Sequence, residues 1–168
     1  MIDFILAAAL LISLVTDLRS RIIPNVMTFP VIVFAILYHT VLSGWDGFLF
    51  SGSGLLLGLG LLFIPFLLGG MGAGDVKLMA AIGALKGAAF VFSSFLYTCL
   101  IGGLIALVIL AARKQLGKSL HRIAHALVFV RGSAASFDVL DNNEIHHAFP
   151  YGVAIVLGTL FAYLRGGF

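Results

Sequence analysis

From Val26 to Leu68 the chain carries one charged side chain, Asp46. Runs of this kind recur along the sequence, and they show no polar face. A soluble domain needs such a face, so the pattern places the chain among membrane proteins. The composition agrees: 61% of the 168 residues are hydrophobic, and mean hydropathy is +1.16. The expectation is an all-α, polytopic integral membrane protein forming one domain over residues 1–168.

A bilayer core about 30 Å thick takes roughly 20 helical residues, or about 17 at the short end. On that measure six spans are expected: Ile2 to Thr16, Val26 to Leu42, Phe48 to Leu68, a short one between Asp75 and Lys86, Ala88 to Ala112, and Phe149 to Tyr163. The fourth is odd, because only about ten apolar residues lie between its charges, roughly 15 Å of helix. Either it begins near Gly69, which places Asp75 below the membrane surface, or the bilayer thins around it. Residues 113–148 form a polar loop whose first half reads as a basic amphipathic surface helix. In span three, Gly54-x-x-x-Gly58 has the small-residue spacing that lets helices approach closely, a reading to be weighed against glycine abundance alone.

Charge placement sets an orientation. The N-terminus has an apolar run without a basic start or a cleavage site, so a first helix with its N-terminus outside is expected rather than a signal peptide. Arg19, Arg21, Lys77, Arg113, Lys114, Lys118, Arg122 and Arg131 then fall on the cytoplasmic side, and Lys86 and Arg165 fall outside. That asymmetry follows the positive-inside rule. It accounts for a pI near 9.3 without nucleic acid as a partner. The lone cysteine, Cys99, excludes an internal disulfide or a CxxC zinc site, and it reads as a small core residue.

Two carboxylates remain at the inner membrane boundary: Asp17 at the end of span one and Asp75 at the start of span four. A charge at that depth costs at least a few kcal/mol, so such residues are functional candidates. Singly, Asp17 beside Arg19 reads as an interfacial anchor, and Asp75 after Gly74 as a helix N-cap. Paired, two carboxylates share one proton. One then activates water while the other, protonated, polarises a scissile carbonyl. Asp75 begins a helix and Asp17 ends one, so the helix dipoles assign the base to Asp75 and the proton to Asp17.

Gly72-Ala73-Gly74-Asp75 resembles the GxGD motif of intramembrane aspartyl proteases, and its extension GAGDVKLMAAIGA resembles the version in type IV prepilin peptidases. TDLRSRIIPN, Thr16 to Asn25, is similar to that family's first-aspartate motif, and PYGVAI, Pro150 to Ile155, to the opening of its last helix. The resemblance implies that Asp17 and Asp75 are the catalytic pair, cleaving basic leader peptides from prepilins at the cytoplasmic membrane face with no cofactor. The compact form resembles the Flp/Tad branch. Longer members carry a methyltransferase region with paired CxxC motifs, and with one cysteine that activity is not expected here. Presenilin-type GxGD proteases have Tyr-Asp and Pro-Ala-Leu motifs, which this chain lacks.

Supporting roles follow. Gly72 and Gly74 let the backbone approach a substrate strand or take positive φ. Pro24 and Asn25 shape the turn after Asp17, and Lys77 contacts substrate or lipid headgroups. His146-His147 and the pair His121 and His125 lack the partners of a metal site, so no metal is expected. The rival readings are a proton- or cation-coupled transporter using Asp17 and Asp75, and a non-enzymatic assembly subunit. The oligomeric state is not legible.

Overall fold

The computed structural model describes residues 1–20, 23–112 and 151–166. The loop 113–148, Arg21 and the four loop histidines lie outside them, as do the side chain of Asn25 and that of Pro150. Contacts group the chain into two compact units, Met1–Gly102 with Pro150–Phe168, and Gly103–Phe149. The described part of the second is the last portion of a helix.

All described elements are helical: α1 (Ile2–Ser20), α2 (Asn25–Leu67), α3 (Ala73–Lys86), α4 (Ala88–Ala112) and α5 (Tyr151–Leu164). Two segments, Val26–Leu67 and Ala88–Ile109, are long and apolar enough to cross a membrane. α2 is not one rod, because Gly44 breaks it with φ 59° and ψ −133°. A backbone of that hand suits glycine, and the break falls inside the turn expected from the sequence at Ser43 to Gly47. At the break the chain folds back so tightly that a Cβ on Gly47 would lie 1.8 Å from the His39 carbonyl oxygen.

α3 runs between the two limbs of this hairpin. Just before the first limb, Ile23 abuts Gly74 at the start of α3, and on that limb His39 Nε2 lies 3.1 Å from the Leu85 carbonyl oxygen near the end of α3. On the second limb, Ser51 Oγ donates to the Ala84 carbonyl at 2.9 Å, and Gly54 and Gly58 press against Gly83 and Met79. The first limb is therefore parallel to α3 and the second antiparallel. Here the Gly54-x-x-x-Gly58 spacing is a packing device, since it lets two helix backbones touch.

Enclosed this way, α3 is the core. Leu78, Met79, Ala80 and Ala84 are fully buried, and Ile82 and Leu85 nearly so. A helix hidden on every side is apolar all round, which explains its composition. The dilemma over its length resolves too. α3 starts at Ala73, not near Gly69, so of the two alternatives the longer helix is corrected, and most of its surface is covered by the rest of the chain.

The glycines before α3 end α2 instead. Gly69 takes φ 73°, its N–H donates to the Phe66 carbonyl at 3.0 Å, and the Gly70 N–H donates to the Pro65 carbonyl at 3.1 Å. These two bonds form a Schellman cap, which satisfies the last carbonyls of the helix.

The outward surfaces are apolar, with Leu11, Leu18, Val41, Leu100, Leu104 and Leu164 exposed. Hydroxyls inside the helices mostly bond back to carbonyls four residues earlier, as Thr16, Thr40, Thr98 and Thr159 do. That local pairing lets a polar side chain sit in an apolar helix. Cys99 corrects the expectation of a core residue: it is exposed on α4. α4 is apolar all round, so its sequence does not reveal which side faces inward.

Candidate active site

Asp17 lies one turn from the end of α1 and is buried, with 7% of its surface exposed. The neighbour that covers it comes from α5. A Cβ added to Gly152 would lie 2.6 Å from Asp17 Oδ2, 2.7 Å from Cγ and 3.0 Å from Cβ. The carboxylate thus rests against the first turn of α5, in a space that exists because residue 152 has no side chain.

Asp75 is the third residue of α3 and is equally buried, at 8% exposed. The N-cap is Gly72, not Asp75. The Asp75 N–H donates to the Gly72 carbonyl at 3.2 Å, and the Gly72 backbone hydrogen-bonds the Asp75 carboxylate in return. The reach of the Asp75 side chain back to the N-cap backbone is one half of a capping box, with the acid at its third position; Gly72 has no side chain to supply the other half. Asp75 therefore holds the start of its own helix while its carboxylate stays at the site.

The two carboxylates act on each other electrostatically, so the fold brings together the two candidates identified in the sequence. Tyr151, the first residue of α5, also senses the charge of Asp75. Three helices converge at one end of the bundle: the end of α1 and the starts of α3 and α5. The opposite end is tied by an ion pair of 2.5 Å between Asp3 and Lys86, with the Lys86 ammonium over the rings of Phe90 and Tyr163. Two buried carboxyl groups within electrostatic reach of each other have the chemistry of a pair: where such groups share one proton, they can give a proton to one atom and take one from another.

Helix polarity does not separate the two roles. Asp17 ends α1 but also touches the first turn of α5, so both carboxylates stand at a helix start. The dipole assignment drawn from the sequence loses its basis, because it took Asp17 to meet only the end of its own helix.

The supporting residues divide. Gly72 has φ −76°, and Gly74 is absent from the positive-φ glycines of the described residues. Neither adopts the positive φ offered as one reason for glycine there. At Gly74 a Cβ would lie 2.9 Å from Ile23 Cβ and 3.2 Å from the Ile23 carbonyl oxygen, so this glycine admits the chain's own linker. At Gly72 a Cβ would stand 3.3 Å from Asp75 Oδ2, so its absence leaves that side of the carboxylate open. Pro24 is the extended N-cap of α2, and it is Ile23 before it that meets α3. Asn25 opens α2. Lys77 is half-buried, and residues two apart on a helix do not face each other, so it leaves α3 on another side from Asp75.

Sequence reasoning missed Gly152 and Tyr151 as site residues. The signal was present, because both belong to the PYGVAI segment, but no chemistry attached to it without the contact with Asp17.

An all-α frame that seats two interacting, buried carboxylates from separate helices at one end defines a carboxylate-pair protein. The chain belongs to the type IV leader peptidase family, which matches it over residues 4–107. The prepilin leader peptidase/N-methyltransferase of Bacillus subtilis (strain 168) is 32% identical over 160 residues, covering 94% of this chain and 52% of the relative. The chain thus spans about half the length of that curated relative. No solved structure matches.

Proposed function

We propose that residues 1–168 act as a single membrane-embedded aspartic endopeptidase that removes the basic leader from prepilins. The observation that carries this reading is the meeting of Asp17 and Asp75, both buried and each sensing the other, in a chain of the leader peptidase family. The ionised carboxylate takes a proton from water as the water oxygen bonds to the scissile carbonyl carbon. The protonated one gives its proton to the carbonyl oxygen. On collapse of the tetrahedral intermediate the C–N bond breaks as the first carboxyl passes its proton to the leaving nitrogen, and the second carboxylate takes one back from a hydroxyl of the intermediate, which restores the pair.

The finer parts of the proposal are these. The substrates are Flp-type prepilins, engaged through leader and hydrophobic helix. Six spans cross the bacterial inner membrane, with the two limbs of α2 counting as two. The N-terminus lies outside and the carboxylates near the cytoplasmic face, an orientation supported by the bias of the basic residues. Gly72 leaves Asp75 open to a peptide, and Lys77 meets substrate or lipid headgroups. With one cysteine these residues hold no paired CxxC, and the activity proposed for them is proteolysis alone.

The test is incubation of the purified protein, in detergent or nanodiscs, with a prepilin encoded near it. Leader removal by the wild type, abolished in Asp17→Ala and in Asp75→Ala, is the expected result. Ion flux without cleavage points to a transporter, and neither activity to an assembly subunit.

A further inference from the structure

Gly152 is the second residue of α5 and is buried. The three atoms nearest to a Cβ placed there all belong to Asp17: Oδ2 at 2.6 Å, Cγ at 2.7 Å and Cβ at 3.0 Å. Ordinary contact begins near 3.4 Å. Rotating the far end of the side chain does not clear the clash, because the root of the side chain is crowded too. An added methyl would push Asp17 away from α5 or part α1 from α5. Where Asp17 or α1 gives way, the carboxyl moves relative to Asp75 on α3, and opening the closest contact from 2.6 Å to the ordinary 3.4 Å sets the scale of that shift.

We propose that Gly152 is a positioning residue for the reaction, fixing where the carboxyl of Asp17 stands relative to that of Asp75. This rests on the reading of the two carboxylates as the catalytic pair. In this role Gly152 acts through Asp17, whose side chain it contacts. A misplacement of about 1 Å at a reacting group costs roughly a hundredfold in rate, which sets the size of the expected effect.

Gly158 on the same helix supplies the control. A Cβ there would meet Thr98 Oγ1 at 2.4 Å and the Thr98 backbone N at 2.5 Å, a contact at least as crowded, six residues farther along and against α4 instead of Asp17. Gly152→Ala and Gly158→Ala should both lower thermal stability. Only Gly152→Ala should lower kcat, by about a hundredfold, with KM within about twofold and a displaced pH–rate profile.

A readout independent of cleavage is the infrared titration of the Asp carboxyl bands in protein carrying 13C-labelled aspartate, with Asp17 assigned by its loss in Asp17→Asn. Gly152→Ala should move that titration, and Gly158→Ala should leave it in place. If the wild type cleaves no prepilin, the peptidase reading fails, while the titration still decides the role of Gly152. Should Gly152→Ala fail to fold, Asp17→Ala in the same chain should restore folding by removing the crowded atoms, a coupling of the kind double-mutant cycles detect. Wild-type kcat and titration in Gly152→Ala overturn the proposal. So does an equal effect of Gly158→Ala, or a double variant that stays unfolded.

Discussion

Gly54 and Gly83 meet backbone to backbone: a Cβ on either would lie 2.0 Å from the carbonyl oxygen of the other. This contact binds the second limb of α2 to α3, and so sets the height at which Asp75 stands. Gly54→Ala and Gly83→Ala should each destabilise the protein by at least the ~1–3 kcal/mol typical of overpacking, because backbone cannot swing aside as a side chain can. Gly52 and Gly60 have nothing within 4 Å of an added Cβ, so alanine there should be close to neutral. Thermal unfolding in one detergent compares all four.

Asp17→Asn and Asp75→Asn keep the shape of the side chains and remove the proton that the pair shares. Each should reduce leader cleavage to near background with little change in thermal stability. Wild-type activity should follow a bell-shaped curve in pH, because the reaction needs one carboxyl protonated and the other ionised. Substantial cleavage by either asparagine variant, across the pH range, counts against the pair.

Tyr151 opens α5 within electrostatic reach of Asp75. Tyr151→Phe removes the hydroxyl and leaves the ring. The expected loss in kcat is no more than about tenfold, the effect of roughly 1.4 kcal/mol on the barrier. Stability should stay within about 0.5 kcal/mol of wild type, as for most substitutions outside a packed core. Kinetics and thermal unfolding on the same preparation separate the two effects.

The orientation proposed for the chain is open to chemical labelling. In a Cys99→Ser background, Asp46→Cys beside the α2 break and Ser20→Cys at the end of α1 lie at opposite ends of the bundle, and both positions are exposed. A membrane-impermeant maleimide applied to spheroplasts should label position 46 at once, and position 20 only after permeabilisation. The reverse pattern inverts the topology.

The carboxylate pair was legible in the sequence because charge is so scarce there: each Asp has to be accounted for, and Asp17 and Asp75 stand at the ends of apolar runs that the expected spans put on the same side. The break in α2 was legible as well, from the polar turn with its glycines. What was not legible depended on partners. Gly54 and Gly58 advertise a close approach but do not say to which helix, and Gly83 completes the contact from α3. Gly152 lies far from Asp17 along the chain, so only the distance between them gives it a role. Cys99 sits in a helix without a polar side, where residue type carries no directional information. The length of α3 misled for a related reason: hydropathy measures greasiness without saying whether lipid or protein supplies the surroundings.

The hairpin of α2 also bears on how such a chain is made. α3 is short and starts with a charge, so by itself it is a poor segment for the insertion machinery to release into lipid. The order of synthesis offers it a berth. Both limbs of α2 emerge before α3, and the facing glycines can receive it as it leaves the ribosome's tunnel. On the six-span arrangement proposed above, the helix that carries Asp75 would be delivered into protein from the start, without having to dissolve in the bilayer alone.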